Sequence, residues 1–87
     1  MTIVLHRIFR KQFQKLRASE QKKFKERRDI FLKDPFDPVL NNHALKGKHE
    51  RYRSIAIGGD LRALYRELPG EVYIFTEIGT HHTLYGS

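Results

Sequence analysis

"RYRSIAIGGDLRALYRELPGEVYIFTEI" occupies residues 51–78. Three runs rich in β-branched and aromatic residues, 51–57, 60–68 and 71–78, are parted by Gly58-Gly59 and by Pro69-Gly70. Runs of this length and composition between turn residues read as strands. A Gly-Gly pair suits a tight type I′ turn, and Pro-Gly is a turn signal of its own. The stretch therefore predicts an antiparallel three-stranded meander. A two-residue turn at Gly58-Gly59 sets Ile55 opposite Arg62 and Arg53 opposite Leu64. One face then carries Arg53, Ile55, Ile57, Arg62, Leu64 and Arg66. The other carries Tyr52, Ser54, Ala56, Leu61, Ala63 and Tyr65. Neither is cleanly apolar, so alternation does not decide which face packs inward. A bulge near Gly58-Gly59-Asp60 would exchange the two. Tyr73 and Phe75 are read as core.

Ahead of the meander, "TIVLH" (2–6) is short, β-branched and apolar, and reads as a strand. Phe9, Phe13 and Leu16 recur at i, i+4 and i+7, the spacing of one helical face. Ser19 is placed to cap a second helix, with Glu20 in its first turn and Phe24, Ile30 and Phe31 as apolar contacts. Asp34-Pro35 ends it, because a residue before proline avoids the α region. Residues 34–50 hold two prolines, two asparagines and a glycine, and form a long loop. Long loops in compact domains are commonly functional. The order is strand, helix, helix, strand, strand, strand. It implies an α+β domain spanning 1–87, with two N-terminal helices packed on one face of an antiparallel sheet and the other face left to bind.

The 87 residues suffice for one modest core. Cysteine is absent, which excludes disulfides and thiolate metal sites and fits a cytoplasmic location. The first residues, "MTIVLHRIFRKQF", lack the apolar run of a secretory signal, and no stretch nears a membrane span. Net charge is +7. Residues 7–33 hold eleven Lys and Arg against three acids, whereas the rest hold six against seven. The basicity is thus confined to the helical segment, which points to a polyanionic partner.

Among five histidines, His6 closes the first strand and reads as structural, and His49, set among charges, reads as solvated. His43 lies in the long loop; His81 and His82 follow the last strand. No HxH, HxxxH or HExxH spacing, no GxSxG turn and no phosphate-binding glycine loop occurs, so neither metal nor cofactor is expected. RNA, however, supplies its own nucleophile, the 2′-hydroxyl. Its cleavage needs a base, an acid and positive charge on the phosphorane. His43 and His81 are candidates for proton transfer, with Asp60 orienting one of them or acting as base. Arg62, Arg53 and Lys46 are candidates for the phosphate, and Tyr85 for stacking on a base.

These residues also carry a resemblance. His43 with Leu45-Lys46-Gly47, then Tyr52-Arg53, Asp60, Tyr65 and the ending Gly79-Thr80-His81…Leu84-Tyr85-Gly86 resemble the RelE/ParE superfamily of bacterial toxins, and most of all its YafQ-like branch. The resemblance covers residues 43–86 well and the first 42 mainly in element order. It implies an endoribonuclease that cuts mRNA in the ribosomal A site, silenced by a cognate antitoxin that brings the complex to operator DNA. By position it assigns catalytic roles to His43, Asp60 and His81, phosphate binding to Arg62 and the terminal aromatic to Tyr85. Three positions depart from the YafQ-like pattern: Ala56 stands where a histidine is usual, Leu61 for a tryptophan and Glu77 for an arginine. With the charge map, the resemblance implies that Lys11, Lys15, Lys22, Lys23, Lys25, Arg27 and Arg28 grip ribosomal RNA. The alternatives are a ParE-like inhibitor of DNA gyrase without catalysis, against which His43 and the GTH ending argue, and a plain RNA-binding module.

Overall fold

The computed structural model describes residues 1–85; Gly86 of the resemblance lies outside them. The elements are β1 (Thr2–Leu5), α1 (Arg7–Gln14), α2 (Ala18–Lys33), β2 (His43–Ala44), β3 (Arg53–Gly58), β4 (Leu61–Leu68), β5 (Val72–Thr80) and α3 (His81–Tyr85). Single 3₁₀ turns occur at Pro38–Leu40 and Gly47–His49. One sheet runs in the order β1-β5-β4-β3-β2. The α+β architecture and the meander are as expected. The outer strands add to them: β2 emerges from within the long loop, and β1 pairs in parallel with β5, Thr2 opposite Val72 and Leu5 opposite Phe75.

His6 leaves β1 in an extended conformation and its Nδ1 accepts from the Ile8 amide at 3.1 Å, which starts α1. Ser19 does not cap α2. Arg17 holds the cap position, and the Glu20 carboxylate reaches back to accept from the Arg17 amide at 3.0 Å. A glutamate at the third helical position can do this whatever precedes it, so Ser19 falls inside the first turn. Gln21 Nε2 donates to the Phe13 carbonyl at 2.9 Å, closing the end of α1 and fixing it against α2.

The expected hairpin register is off by one residue. Ile55 faces Ala63, Arg53 faces Tyr65 and Ala56 faces Arg62, with a register shift between Ala56 and Gly58. The turn residues are Gly59 and Asp60. Gly59 has φ +53° and Asp60 does not share the left-handed region, so the turn is not type I′, which needs both. In the bulge, the Ile57 carbonyl accepts from Arg27 Nε of α2 at 3.2 Å. This shift turns β4 over relative to β3 and makes one face of the hairpin apolar. Ile55, Ile57, Leu61, Ala63, Tyr65, Tyr73, Phe75 and Ile78 are all buried in the core with Phe9, Phe24, Phe31 and Leu40. Ser54, Ala56, Arg62, Leu64 and Arg66 alternate onto the opposite face.

The core is aromatic at its centre. Phe31 meets Tyr65, Tyr73 and Phe75 edge-on at 5.0, 5.3 and 5.4 Å between centroids. Burial pushes the Tyr65 hydroxyl above the usual tyrosine range, against the lowering effect of its hydrogen bond from Asn42. The unfolded chain therefore releases this proton first. Stability from the neutral phenol is intact below about pH 10 and is lost as pH climbs past that value. Urea titrations between pH 8 and 11 should show stability falling at the alkaline end, with a smaller fall in Tyr65→Phe.

Candidate active site

On the sheet face away from α1 and α2 lies a cavity of about 340 Å³, lined by His43, Leu45, Lys46, His49, Arg62, His81 and Tyr85. A larger cleft of about 500 Å³ runs between the start of α2 and the Gly58–Leu61 turn, but no histidine lines it. The histidines nominated from sequence, His43 and His81, both line the smaller cavity.

Its parts are held by ordinary local forces. In β2, His43 pairs with Ser54 of β3. Its Nδ1 lies 3.1 Å from the Asn41 carbonyl and 3.4 Å from Arg62 Nη2. A carbonyl only accepts, and it is the nearer partner, so the network assigns the proton to Nδ1. Nε2 is then left with its lone pair, as a base requires. Arg62 is fixed by Nε donating to Ser54 Oγ, whose residue is fully buried, and by Nη2 donating to the Asn41 carbonyl at 3.2 Å. Nη1 has no protein acceptor among the described residues, so its donors remain for a ligand.

Thr80 creates the far wall. Its hydroxyl accepts from the Thr83 amide at 3.2 Å, which turns the chain out of β5 into α3, and Leu84 anchors that turn at 7% exposure. His81 and Tyr85, four residues apart, then share one helical face with ring centroids 4.6 Å apart. His49 approaches the same tyrosine edge-on at 5.6 Å. The Tyr85 hydroxyl oxygen is buried and has no partner among the described residues.

Of the residues nominated from sequence, His43, Lys46, Arg62, His81 and Tyr85 meet in this cavity; Asp60 and Arg53 do not line it. Asp60 is exposed in the β3–β4 turn, and the group that orients His43 is the Asn41 carbonyl. Arg53 is opposite Tyr65 and so lies on the core-side face. Its Nε donates to Asn42 Oδ1 at 2.8 Å and its guanidinium covers the Phe36 ring at 5.1 Å. Asn42 in turn donates to Pro35 O and Tyr65 Oη, both at 2.8 Å. Arg53 thus secures the long loop from behind. His49, read as solvated, is half-buried in the site. The cue it offers is its place in a glycine-containing loop that returns to the sheet.

No protein-family model and no curated protein matches the chain. Solved structures do. YafQ from E. coli superposes with a TM-score of 0.78 at 22% identity, over 97% of each chain. The chain has the RelE/YafQ toxin fold. RelE in the RelE–RelB complex of Pyrococcus horikoshii gives a TM-score of 0.74 at 21% identity, over 91% of this chain and 92% of that one. A copper-bound mutant toxin from Helicobacter pylori gives 0.70 at 26%, over 97% and 98%. The RelE/YafQ likeness of fold therefore extends through the helical half, where the sequence resemblance rests mainly on element order.

Proposed function

We propose that the protein is the toxin of a type II toxin–antitoxin module, a metal-independent endoribonuclease that cuts mRNA in the ribosomal A site and halts translation. The observation that supports this most is the convergence of His43, Arg62 and the His81–Tyr85 pair, from three elements, on one cavity large enough for a nucleotide. His43 Nε2 takes the proton of the 2′-hydroxyl, whose oxygen attacks the adjacent phosphorus. The bond to the 5′-oxygen breaks, and protonated His81 gives that oxygen its proton. The products are a cyclic phosphate and a free 5′-hydroxyl. Arg62 Nη1 and Lys46 hold the charge that gathers on the phosphorane, and Tyr85, steadied by His49, stacks on a base.

YafQ is described in complex with DinJ as toxin with antitoxin, and RelE in complex with RelB. A cognate antitoxin is accordingly the protein partner, with operator DNA reached only through it. Ribosomal RNA is met by the helices, where Lys11, Lys15, Lys22, Lys23 and Lys25 are exposed or half-exposed. Arg27 and Arg28 are partly engaged, the first with Ile57 O and the second with Asp29 at 3.2 Å. Action on ribosomes places the protein in the cytoplasm; no helix among the described residues is long and apolar enough to cross a membrane.

Induced expression followed by mapping of mRNA 5′ ends tests the reading. Growth should stop, with cuts inside translated codons and none in an untranslated copy of the same message. Arrest without cuts would overturn it. Asp60→Asn should retain activity within about tenfold of wild type, since the side chain stands outside the cavity, whereas removal of a positioned acid or base costs roughly 10²–10⁴-fold. Reversing Lys15, Lys22 and Lys25 to glutamate should weaken ribosome binding and flatten its log–log salt dependence by about 0.7–0.9 for each phosphate no longer neutralised. Lys23 is best left in place because its stem packs over Gly58.

A further inference from the structure

The catalytic cavity is not the only hollow on the open sheet face. A second, of about 320 Å³, is lined by Ile8, Tyr52, Arg66, Ile74, Thr76 and Glu77, together with His6. Arg62 and Arg66 share a face of β4, four residues and roughly 13 Å apart. Glu77 of β5 stands opposite Leu64, between them. One strand of RNA seated on Arg62 can therefore continue into the second hollow.

The chemistry of this hollow is that of a base pocket. Tyr52 and Arg66 form an aromatic–guanidinium pair, 5.8 Å from cation to ring centroid. Ile8, 46% exposed, and half-buried Ile74 supply apolar walls. Flat guanidinium and aromatic groups over apolar walls suit a stacked base. Glu77 is half-buried, and among the described residues it has neither an ion-pair partner within 4 Å nor a hydrogen-bond donor to its side chain. An uncompensated carboxylate repels a phosphate and is satisfied by donors. Guanine presents two adjacent donors, N1–H and the N2 amino group, which one carboxylate accepts together; the other bases present a single donor position beside acceptors.

We propose that this second hollow binds a guanine next to the scissile phosphate, read by Glu77 on its Watson–Crick edge and stacked on the Tyr52–Arg66 pair. The proposal rests on the ribonuclease reading, since it places this base on the same strand as the cut. Glu77 is a specificity residue here, and it takes no part in proton transfer.

Two measurements test it. Cut-site maps of wild type should be enriched in guanine at one fixed position beside the cut, and Glu77→Gln should reduce that discrimination roughly tenfold to a hundredfold, as expected for a bidentate base contact. Binding of short RNAs to the His81→Ala protein reads the hollow without turnover. Replacing guanosine by inosine, which lacks the N2 amino group, should weaken binding to His81→Ala and leave binding to the Glu77→Gln/His81→Ala double variant unchanged. Equal binding of guanosine and inosine RNAs to His81→Ala overturns the guanine assignment even if wild type cuts mRNA. Discrimination in that assay with no cutting by wild type overturns the ribonuclease reading and leaves the pocket. If Arg66→Ala and Glu77→Gln weaken antitoxin binding with cut-site preference unchanged, the hollow belongs to a protein partner and the proposal fails.

Discussion

His81→Ala should cut mRNA roughly 10²–10⁴-fold more slowly than wild type while remaining as stable to urea. The expectation of intact folding comes from position. His81 is exposed on the first turn of α3, and its one ring contact among the described residues is with Tyr85. The helix is held by Thr80 and by buried Leu84, neither of which the substitution touches. The expectation of lost rate comes from chemistry, because the leaving oxygen then departs without a proton. Cells expressing the variant should grow. A variant that still arrests growth while chromosomal DNA breaks accumulate would favour gyrase inhibition over RNA cleavage.

Phe75→Ala is expected to cost roughly 3–5 kcal/mol, the range for deleting a large buried aromatic. Phe75 is fully buried. Its ring meets Tyr65 at 5.2 Å, Phe31 at 5.4 Å, Phe24 at 5.9 Å and Phe9 at 6.1 Å. Those four rings come from β4, α2 and α1, so truncation opens a hole where the sheet meets both helices. A domain of this kind has about 5–15 kcal/mol in hand. The midpoint of urea unfolding should fall sharply, and Phe75→Leu should recover more than half of the loss. A shift of less than about 1 kcal/mol, the size of an ordinary surface change, would mean that the centre of the core lies elsewhere.

How far sequence reaches differs along the chain. The three strands of the meander are legible because turn residues bracket β-branched runs, and the helices because phenylalanines recur at helical spacing. The face of the sheet is not legible, since it depends on one extra residue between Ala56 and Gly58, and both parities look half-polar on paper. That single residue moves Arg53 behind the sheet and keeps Arg62 in front, so one nominated phosphate ligand goes to the scaffold and the other remains. His49 is misread as solvated because a loop has no periodicity from which to read direction. Helix α3 is hidden because the strand before it runs on past the predicted 71–78 to its cap, Thr80, and five residues are too few to show a helical period. Chemistry and resemblance single out His43, His81 and Tyr85, and neither can supply the Asn41 carbonyl that fixes a tautomer.

The pairing of β1 with β5 bears on how this domain closes. Residues 2–5 precede the other described strands in the chain, yet their only partner among those strands is the last of them. Ile78 of that late strand also donates its amide to Gln12 of α1 at 2.8 Å. The sheet is thus closed by the earliest and the latest of these strands together, and His81 follows directly on the later of them. Until β5 has docked, β1 has no strand to pair with, so the cavity wall that α3 supplies can form only as the sheet itself is completed.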